Sequence, residues 1–440
     1  MSFRAKALAA GAALALVGTA AGANAQTEIN WWHAMGGELG DRLNELAEGF
    51  NESQSDYVVR PTYRGDYTET MTAAIAAFRA REQPHIVQVF EVGTASMMAA
   101  KGAIYPVYQL MEEHGIDWDP EVYLPTVVGY YADPEGNMLS MPFNSSTPVL
   151  YYNKDAFAEA GLDPEQPPRT WDELAEFSRA IIDAGAAECG FTTGWQSWVQ
   201  LENFSALHNV PFSTHANGFE SLETEFKFDS DLHKRHIGNM ADWQEENIFQ
   251  YGGRRSDGRP KFLSGECAIY MDSSGSYAAA EAGADFDFGV GMLPYYDDVE
   301  GAPQNSIIGG ATLWVLQGHD SEDYEGVAAF FQYLSSPEVQ AQWHQQTGYL
   351  PITLEAYHLS QEQGFYDEKP GTDTSIKQLT MNDPTENSRG LRLGNFVQIR
   401  DVINEELEEI WNGNKSPEQA LEDARRRGNE LLRQFEQDNS

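Results

Sequence analysis

The chain has 440 residues, with 68 acidic against 28 basic side chains and a formal charge of −40. Nucleic acids are bound through clusters of Lys and Arg that neutralise phosphates, so RNA and DNA are excluded as partners. The acid is dispersed along a chain that is 41% hydrophobic, which reads as the solvated face of a folded protein and not as a disordered tail.

Residues 1–25 read as a secretory signal. Arg4 and Lys6 form a basic start, Ala7 to Val17 is almost wholly apolar, and Ala23-Asn24-Ala25 is a small-x-small cleavage site. Cleavage after Ala25 would begin the mature chain at Gln26 and place it in the periplasm. No later segment approaches about 18 consecutive apolar residues, the length of a membrane span. The remaining length suits two or three domains of roughly 100 to 200 residues. Cys189 and Cys267 are the only cysteines. A disulfide and two buried thiols both stay open, since pairing needs Cα atoms within about 7 Å.

In chain order, Glu28 to Met35 reads as a first strand, and Gly36-Gly37 opens a helix over about 39–51 with Leu39, Leu43, Leu46, Ala47 and Phe50 at helical spacing. Tyr57 to Thr62 is a second strand, Tyr67 to Arg79 a helix and His85 to Phe90 a third strand. This β-α-β-α-β order predicts a parallel sheet with crossover helices. Val149 to Tyr152 is a strand of a second unit. Asn153 caps a short helix through Ala160, and Thr170 caps a helix from Trp171 to Ala184 with acid in its first turn. From Cys189 to about Gly265 the pattern is helical with aromatic punctuation. Strands follow at 268–271, 288–293 and 311–316, then helices at 326–334, 337–347, 399–412 and 416–435. Two α/β units without a flexible linker imply a chain that crosses between lobes more than once, as in cleft-closing hinges.

The signatures G-x-S-x-G, H-E-x-x-H, P-loop, G-x-G-x-x-G and EF-hand are missing, which favours binding over catalysis. His233 and His236 stand three apart and could ligate a metal, but no third ligand lies nearby, and charged helix faces commonly carry histidine. Pairs such as Glu406 and Glu408 are expected in so acidic a chain and say little about glycosidase chemistry.

Several segments are polar or small where a core would be aliphatic. Phe143-Asn144-Ser145-Ser146-Thr147-Pro148 and Asp272-Ser273-Ser274-Gly275-Ser276 put hydroxyls at strand ends, suited to an anion or to simple capping. Gly309-Gly310 permits close backbone approach to a ligand or a bulge. Arg400 sits near the start of a helix, where the dipole disfavours a cation. It should therefore have a partner, either an internal carboxylate or a ligand phosphate.

The segment VLYYNKDAFAEAGLDPEQPPRTWDELAEFS, Val149 to Ser178, resembles the strand-helix signature of extracellular solute-binding proteins related to the maltose-binding protein. APQNSIIGGATLWV, FNSSTPVLYYNKDAF, WHQQTGYLPIT and GLRLGNFVQIR resemble, more narrowly, the branch of that family that serves bacterial sn-glycerol 3-phosphate import. The resemblance spans essentially the whole mature chain. It implies a type II periplasmic binding protein fold, two α/β lobes joined by a multi-crossover hinge, with residues 26–143 plus 293–345 in one lobe and 147–292 plus 350–440 in the other. It implies a ligand pocket of Tyr67, Glu91, Ser146, Ser273, Gly310, Tyr349 and Arg400, with Trp171 as a further wall. Arg400 would then bind phosphate, Glu91 glycerol hydroxyls, and Ser146, Ser273 and the Gly310 amide would add donors. It also implies a monomer without cofactor or metal that docks, when closed, on the permease subunits of an ABC importer. Glycerophosphodiesters such as glycerophosphocholine, with Trp171 or Trp198 facing the choline, and neutral oligosaccharides are the alternative ligands, and a secreted glycosidase is the alternative class.

Overall fold

The computed structural model describes residues 26–440; the expected signal sequence, residues 1–25, lies outside the described residues. Ten strands among these form two sheets. They are β1 (Thr27–His33), β2 (Tyr57–Tyr63), β3 (Ile86–Phe90), β4 (Ile104–Tyr105), β5 (Met141–Ser146), β6 (Pro148–Asn153), β7 (Cys189–Thr193), β8 (Cys267–Ser273), β9 (Phe288–Gly291) and β10 (Gly309–Leu316).

The first sheet runs β2-β1-β3-β10-β4, with β5 also paired to β10. As expected from the β-α-β-α-β opening, β1 lies parallel to both β2 and β3. Late in the chain, β10 returns antiparallel to β3, β4 and β5, which makes the sheet mixed. Along β1 the alternation turns Ile29, Trp31 and His33 inward, whereas all five residues of β3 are buried, as a central strand covered on both faces requires. The helix Gly37–Ser53 buries Gly40, Leu43, Ala47 and Phe50. The helix Tyr67–Ala80 starts on a capping box of Asp66 and Glu69, which fixes Tyr67 as its first residue.

The second sheet runs β7-β8-β6-β9. Asn153 and Thr170 cap the two helices that follow β6, the second through a capping box with Glu173. Strand β7 lies inside the stretch that reads as helical. Its five residues are all buried, so it has no alternation to betray it. Strand β4, two residues long, is equally invisible to pattern.

Thr147 alone separates β5 from β6, so the first crossing between lobes is a single residue. Its hydroxyl lies 2.6 Å from Ser306 Oγ in the irregular segment that leads into β10. Gln378 ties the connections together: its amide donates to the Pro148 carbonyl at 2.8 Å, and its carbonyl accepts from Leu293 N at 2.7 Å. From residue 350, where the return to the second lobe is expected, the chain touches both lobes. Leu350, Ile352, Ile376 and Leu379 pack in one apolar core with Ile29, Trp31 and Phe330 of the first lobe, whereas Lys369 pairs with Glu281 and Thr374 Oγ1 donates to the Val290 carbonyl on β9. The helix Leu354–Glu362 packs on the helix Pro337–Thr347, and an amphipathic face does not itself say which lobe it will cover. No helix of the described residues is long and apolar enough to cross a membrane.

Cys189 and Cys267 face each other in register on the parallel pair β7 and β8 and form a disulfide with Cα atoms 4.5 Å apart. The bond closes a loop of 78 residues. Loop closure of that order should contribute about 2 to 4 kcal/mol. Urea unfolding of oxidised protein against a Cys189→Ala, Cys267→Ala variant should show that difference, and a loss under about 0.5 kcal/mol would contradict it.

Candidate functional site: a cleft between the lobes

A cavity of about 220 Å³ lies between the lobes, and seven of the eight expected site residues line it: Tyr67, Glu91, Ser146, Ser273, Gly310, Tyr349 and Arg400. Glu91 follows the last residue of β3, Ser146 and Ser273 end β5 and β8, and Gly310 is the second residue of β10. Tyr349 follows the helix Pro337–Thr347, and Arg400 lies in the first turns of the helix Phe396–Trp411. The site is thus built mainly from strand ends, the usual crevice of an α/β sheet.

Trp171 is not part of it. Its ring is 3% exposed in the core of the second lobe, with its centroid 4.5 Å from that of His236 and 6.0 Å from that of Trp243. The first residue of a capped helix points its apolar body under the turn, and here that direction leads to the core. The aromatic wall is made by Trp198, the other candidate, and by Trp195, both in the segment read as plain helix. Trp195 adopts a left-handed backbone (φ 42°), rare for a bulky residue and concentrated at functional sites, and its N–H donates to the Arg255 carbonyl at 2.7 Å.

Arg400 has an internal partner, and in fact two. Its Nε and Nη2 donate bidentately to Glu202 at 3.0 and 2.6 Å, and Nη2 also donates to Glu91 Oε1 at 2.7 Å. All three residues are buried. Burial opposes the Arg400 charge, but Glu202 and Glu91 more than offset it and hold the guanidinium protonated. Burial pushes the Glu91 carboxyl above the usual carboxylate range, with Arg400 pulling the other way. Glu202, invisible to motif reading, projects from a π-helical turn, Trp198–Asn203, and accepts a further bond from Ser197 Oγ at 2.9 Å. One cation therefore stands between two carboxylates. The Nη1 edge of Arg400 and the remaining lone pairs of Glu91 are what this end of the cavity offers a ligand.

The phenols are positioned by a relay. Gln88 Nε2 donates to Asn144 Oδ1 at 2.8 Å, Asn144 Nδ2 donates to Tyr67 Oη at 2.9 Å, and the Tyr67 ring stacks on Phe90 at 5.2 Å. Burial pushes both Tyr67 and Tyr349 upward, so both are neutral hydroxyls near pH 7. Gly310 has φ 84°, and a Cβ there would lie 1.9 Å from the Asn144 carbonyl oxygen, so only glycine allows β5 and β10 to meet at the cavity floor. Ser256, Gly275, Ser276 and Arg259 complete the second-lobe wall.

His233 and His236 are core side chains. Both ring nitrogens of His233 are engaged, by Ser230 Oγ at 2.6 Å and Ser205 Oγ at 2.8 Å, and burial drives its pKa down to about 3. His236 lies flat on Phe204 at 4.1 Å. His85, His319 and Asp323 bring ligand atoms within 4.8 Å of one another. The Asn30 N–H donates to His85 Nδ1 at 2.9 Å, which leaves the proton on Nε2, and His319 Nε2 donates to the Pro84 carbonyl at 3.1 Å. One imidazole lone pair is left, too few for a metal site. Glu406 is bound by Lys415 and Arg427, and Glu408 by Arg254.

Residues 34–341 match the family of bacterial extracellular solute-binding proteins. The chain is 52% identical to the sn-glycerol-3-phosphate-binding periplasmic protein of Yersinia pseudotuberculosis over 95% of both chains. It is 51% identical to the protein of that name from Shigella flexneri, over 99% of this chain and 98% of the other. Among solved structures, UgpB from Mycobacterium tuberculosis in complex with glycerophosphocholine shares the fold with a TM-score of 0.79 at 22% identity, covering 93% of this chain and 99% of that one. The cyclic alpha-maltosyl-1,6-maltose binding protein from Arthrobacter globiformis shares it with a TM-score of 0.72 at 21% identity, covering 93% of this chain and all of the other. The two lobes, the interlobe cleft and these matches give one conclusion: the chain belongs to the bacterial extracellular solute-binding protein family.

Proposed function

We propose that this chain is the periplasmic substrate-binding protein of an ABC importer, capturing sn-glycerol 3-phosphate by lobe closure and delivering it to the membrane permease without chemical turnover. The observation that carries the reading is the convergence of the expected pocket residues on one small polar cavity, in a chain about half identical to proteins named for that ligand. At about 220 Å³ the cavity lies below the range of roughly 300 to 1,000 Å³ typical of drug-sized ligands, which suits a three-carbon phosphate better than an oligosaccharide. Glu91 can accept bonds from the two glycerol hydroxyls while the Nη1 edge of Arg400 donates to them, and the serine and tyrosine hydroxyls can donate to phosphate oxygens.

Closure is supported by contacts across the cleft. Arg400 on the second lobe reaches Glu91 on the first, and Arg255 reaches Asp66 at 2.7 Å. One observation favours a second ligand class, glycerophosphodiesters. A further cavity of about 530 Å³ shares Tyr67, Phe90, Trp195 and Arg400 with the first and adds Tyr251, so that aromatic faces are available to a cationic alcohol, with Asp257, Asp401 and Glu408 balanced by Arg254, Arg255 and Arg400.

Titration calorimetry with sn-glycerol 3-phosphate, glycerophosphocholine and maltose tests the reading. The monoester should bind and maltose should not; maltose binding without the monoester would overturn the ligand assignment, and tighter binding of glycerophosphocholine would establish the diester reading. Arg400→Ala should abolish detectable binding of the monoester, because it leaves Glu91 and Glu202 facing each other and the ligand without a cation between them. Near-native affinity in that variant would remove Arg400 from the site.

Glu202→Ala should cost about 3 to 5 kcal/mol in equilibrium unfolding, the usual consequence of removing one partner from a buried ion pair. A loss under about 1 kcal/mol would mean that Glu91 alone compensates Arg400.

A further inference from the structure

The two arginines that line the cavity are in opposite situations. Arg400 is already charge-compensated: three of its five N–H groups go to two carboxylates, so its end of the cavity carries more negative than positive charge. A phosphate placed there would be a third anionic group in a buried space, with no cation of its own. Arg259 makes no salt bridge among the described residues, and its buried Nε has no hydrogen-bond partner there. The carboxylate that acts on its charge, Asp272, takes three hydroxyls on Oδ2, from Tyr270 at 2.5 Å, Ser276 at 2.6 Å and Ser256 at 2.8 Å, and makes no hydrogen bond through Oδ1. Burial is the largest influence and opposes the Arg259 charge, but Asp272 together with the Tyr270 and Tyr151 phenols outweighs it, so the guanidinium stays protonated.

The neutral groups follow the same division. Ser273 Oγ accepts from Gly275 N at 3.1 Å, which leaves its own hydrogen for the cavity. The Tyr349 ring lies against Gly275, where a Cβ would come within 2.6 Å of it. The wall of Arg259, Ser273 and Tyr349 is therefore a set of donors, and the wall of Glu91 is an acceptor. A phosphate monoester dianion only accepts hydrogen bonds, whereas glycerol hydroxyls can donate.

Resting on the glycerol-phosphate reading above, we propose that Arg259, and not Arg400, neutralises the ligand phosphate, so that the phosphate lies at the Arg259, Ser273 and Tyr349 end of the cavity and the diol at Glu91 and Arg400.

The test is calorimetry of wild type, Arg259→Gln and Arg259→Lys with sn-glycerol 3-phosphate from pH 5 to pH 7.5. Arg259→Gln should weaken binding at pH 7.5 roughly ten- to hundredfold, the value of a charge-assisted hydrogen bond, while Arg259→Lys should recover part of the loss. The wild type should bind more tightly as the phosphate loses its second proton near pH 6, and this gain should shrink in Arg259→Gln. A merely structural role would lower the melting temperature without changing the pH profile. Binding by Arg259→Gln within threefold of wild type would overturn the inference and leave Arg259 as a companion of Asp272. A wild type that does not bind the monoester would remove the functional reading and this inference together, and the wild-type arm keeps the two failures distinct.

Discussion

The site depends on a buried guanidinium compensated from both sides of a cleft. The Arg400 to Glu202 bond lies within the second lobe, and the Arg400 to Glu91 bond crosses to the first. Glu202 can therefore hold Arg400 in one geometry whether the lobes are together or apart, while Glu91 engages only when they meet. Much of the local sequence serves that arrangement. The π-helical turn brings Glu202 inward, Ser197 takes up part of its acceptor capacity, and the polar strand β5 is buried with its serines facing the same space. A buried ion pair is weak evidence for stability by itself, but it specifies geometry, and here it specifies how the lobes register.

The net charge of −40 opposes the approach of any anion. The opposition is long-range and is screened over about 8 to 10 Å at physiological salt. Recognition in the closed cleft depends instead on contacts of 3 Å or less, in a medium where unpaired charge is expensive. A strongly acidic exterior is thus compatible with an anion site, provided one cation inside the cleft keeps hydrogen-bond donors free for the ligand.

The α/β class, the parallel opening of the first sheet and most helices were legible from periodicity and caps, because Asn153, Thr170 and the Leu and Ala spacing of the first helix are local signals. Strand β7 was hidden by complete burial, and the lobe that each helix after residue 350 covers by the lobe-neutral character of an amphipathic helix. Seven pocket positions followed from long motif strings. Trp171 failed because a motif position says where the backbone runs, not which way a side chain points. Trp195, Glu202 and Arg259 lay outside any motif. The one usable hint for Glu202 was the misplaced positive charge of Arg400 at a helix start, which required a carboxylate from elsewhere without naming it.

That same hint bears on ligand direction. A lone arginine near a helix N-terminus reads from sequence as a phosphate receptor, yet the dipole argument that singled it out also demands that it be compensated in the fold. Once Glu91 and Glu202 meet that demand, Arg400 behaves toward a ligand as a polar donor with a fixed edge more than as a free charge. The cavity then has an acceptor end and a donor end, and a glycerol monophosphate has the same division along its length. A neutral sugar, with donors and acceptors on every carbon, would use the Glu91 end equally well but would leave the unpartnered Arg259 Nε without an anionic acceptor from the ligand. The asymmetry of the cavity, more than its size, is the physical reason to place a phosphate ester in it.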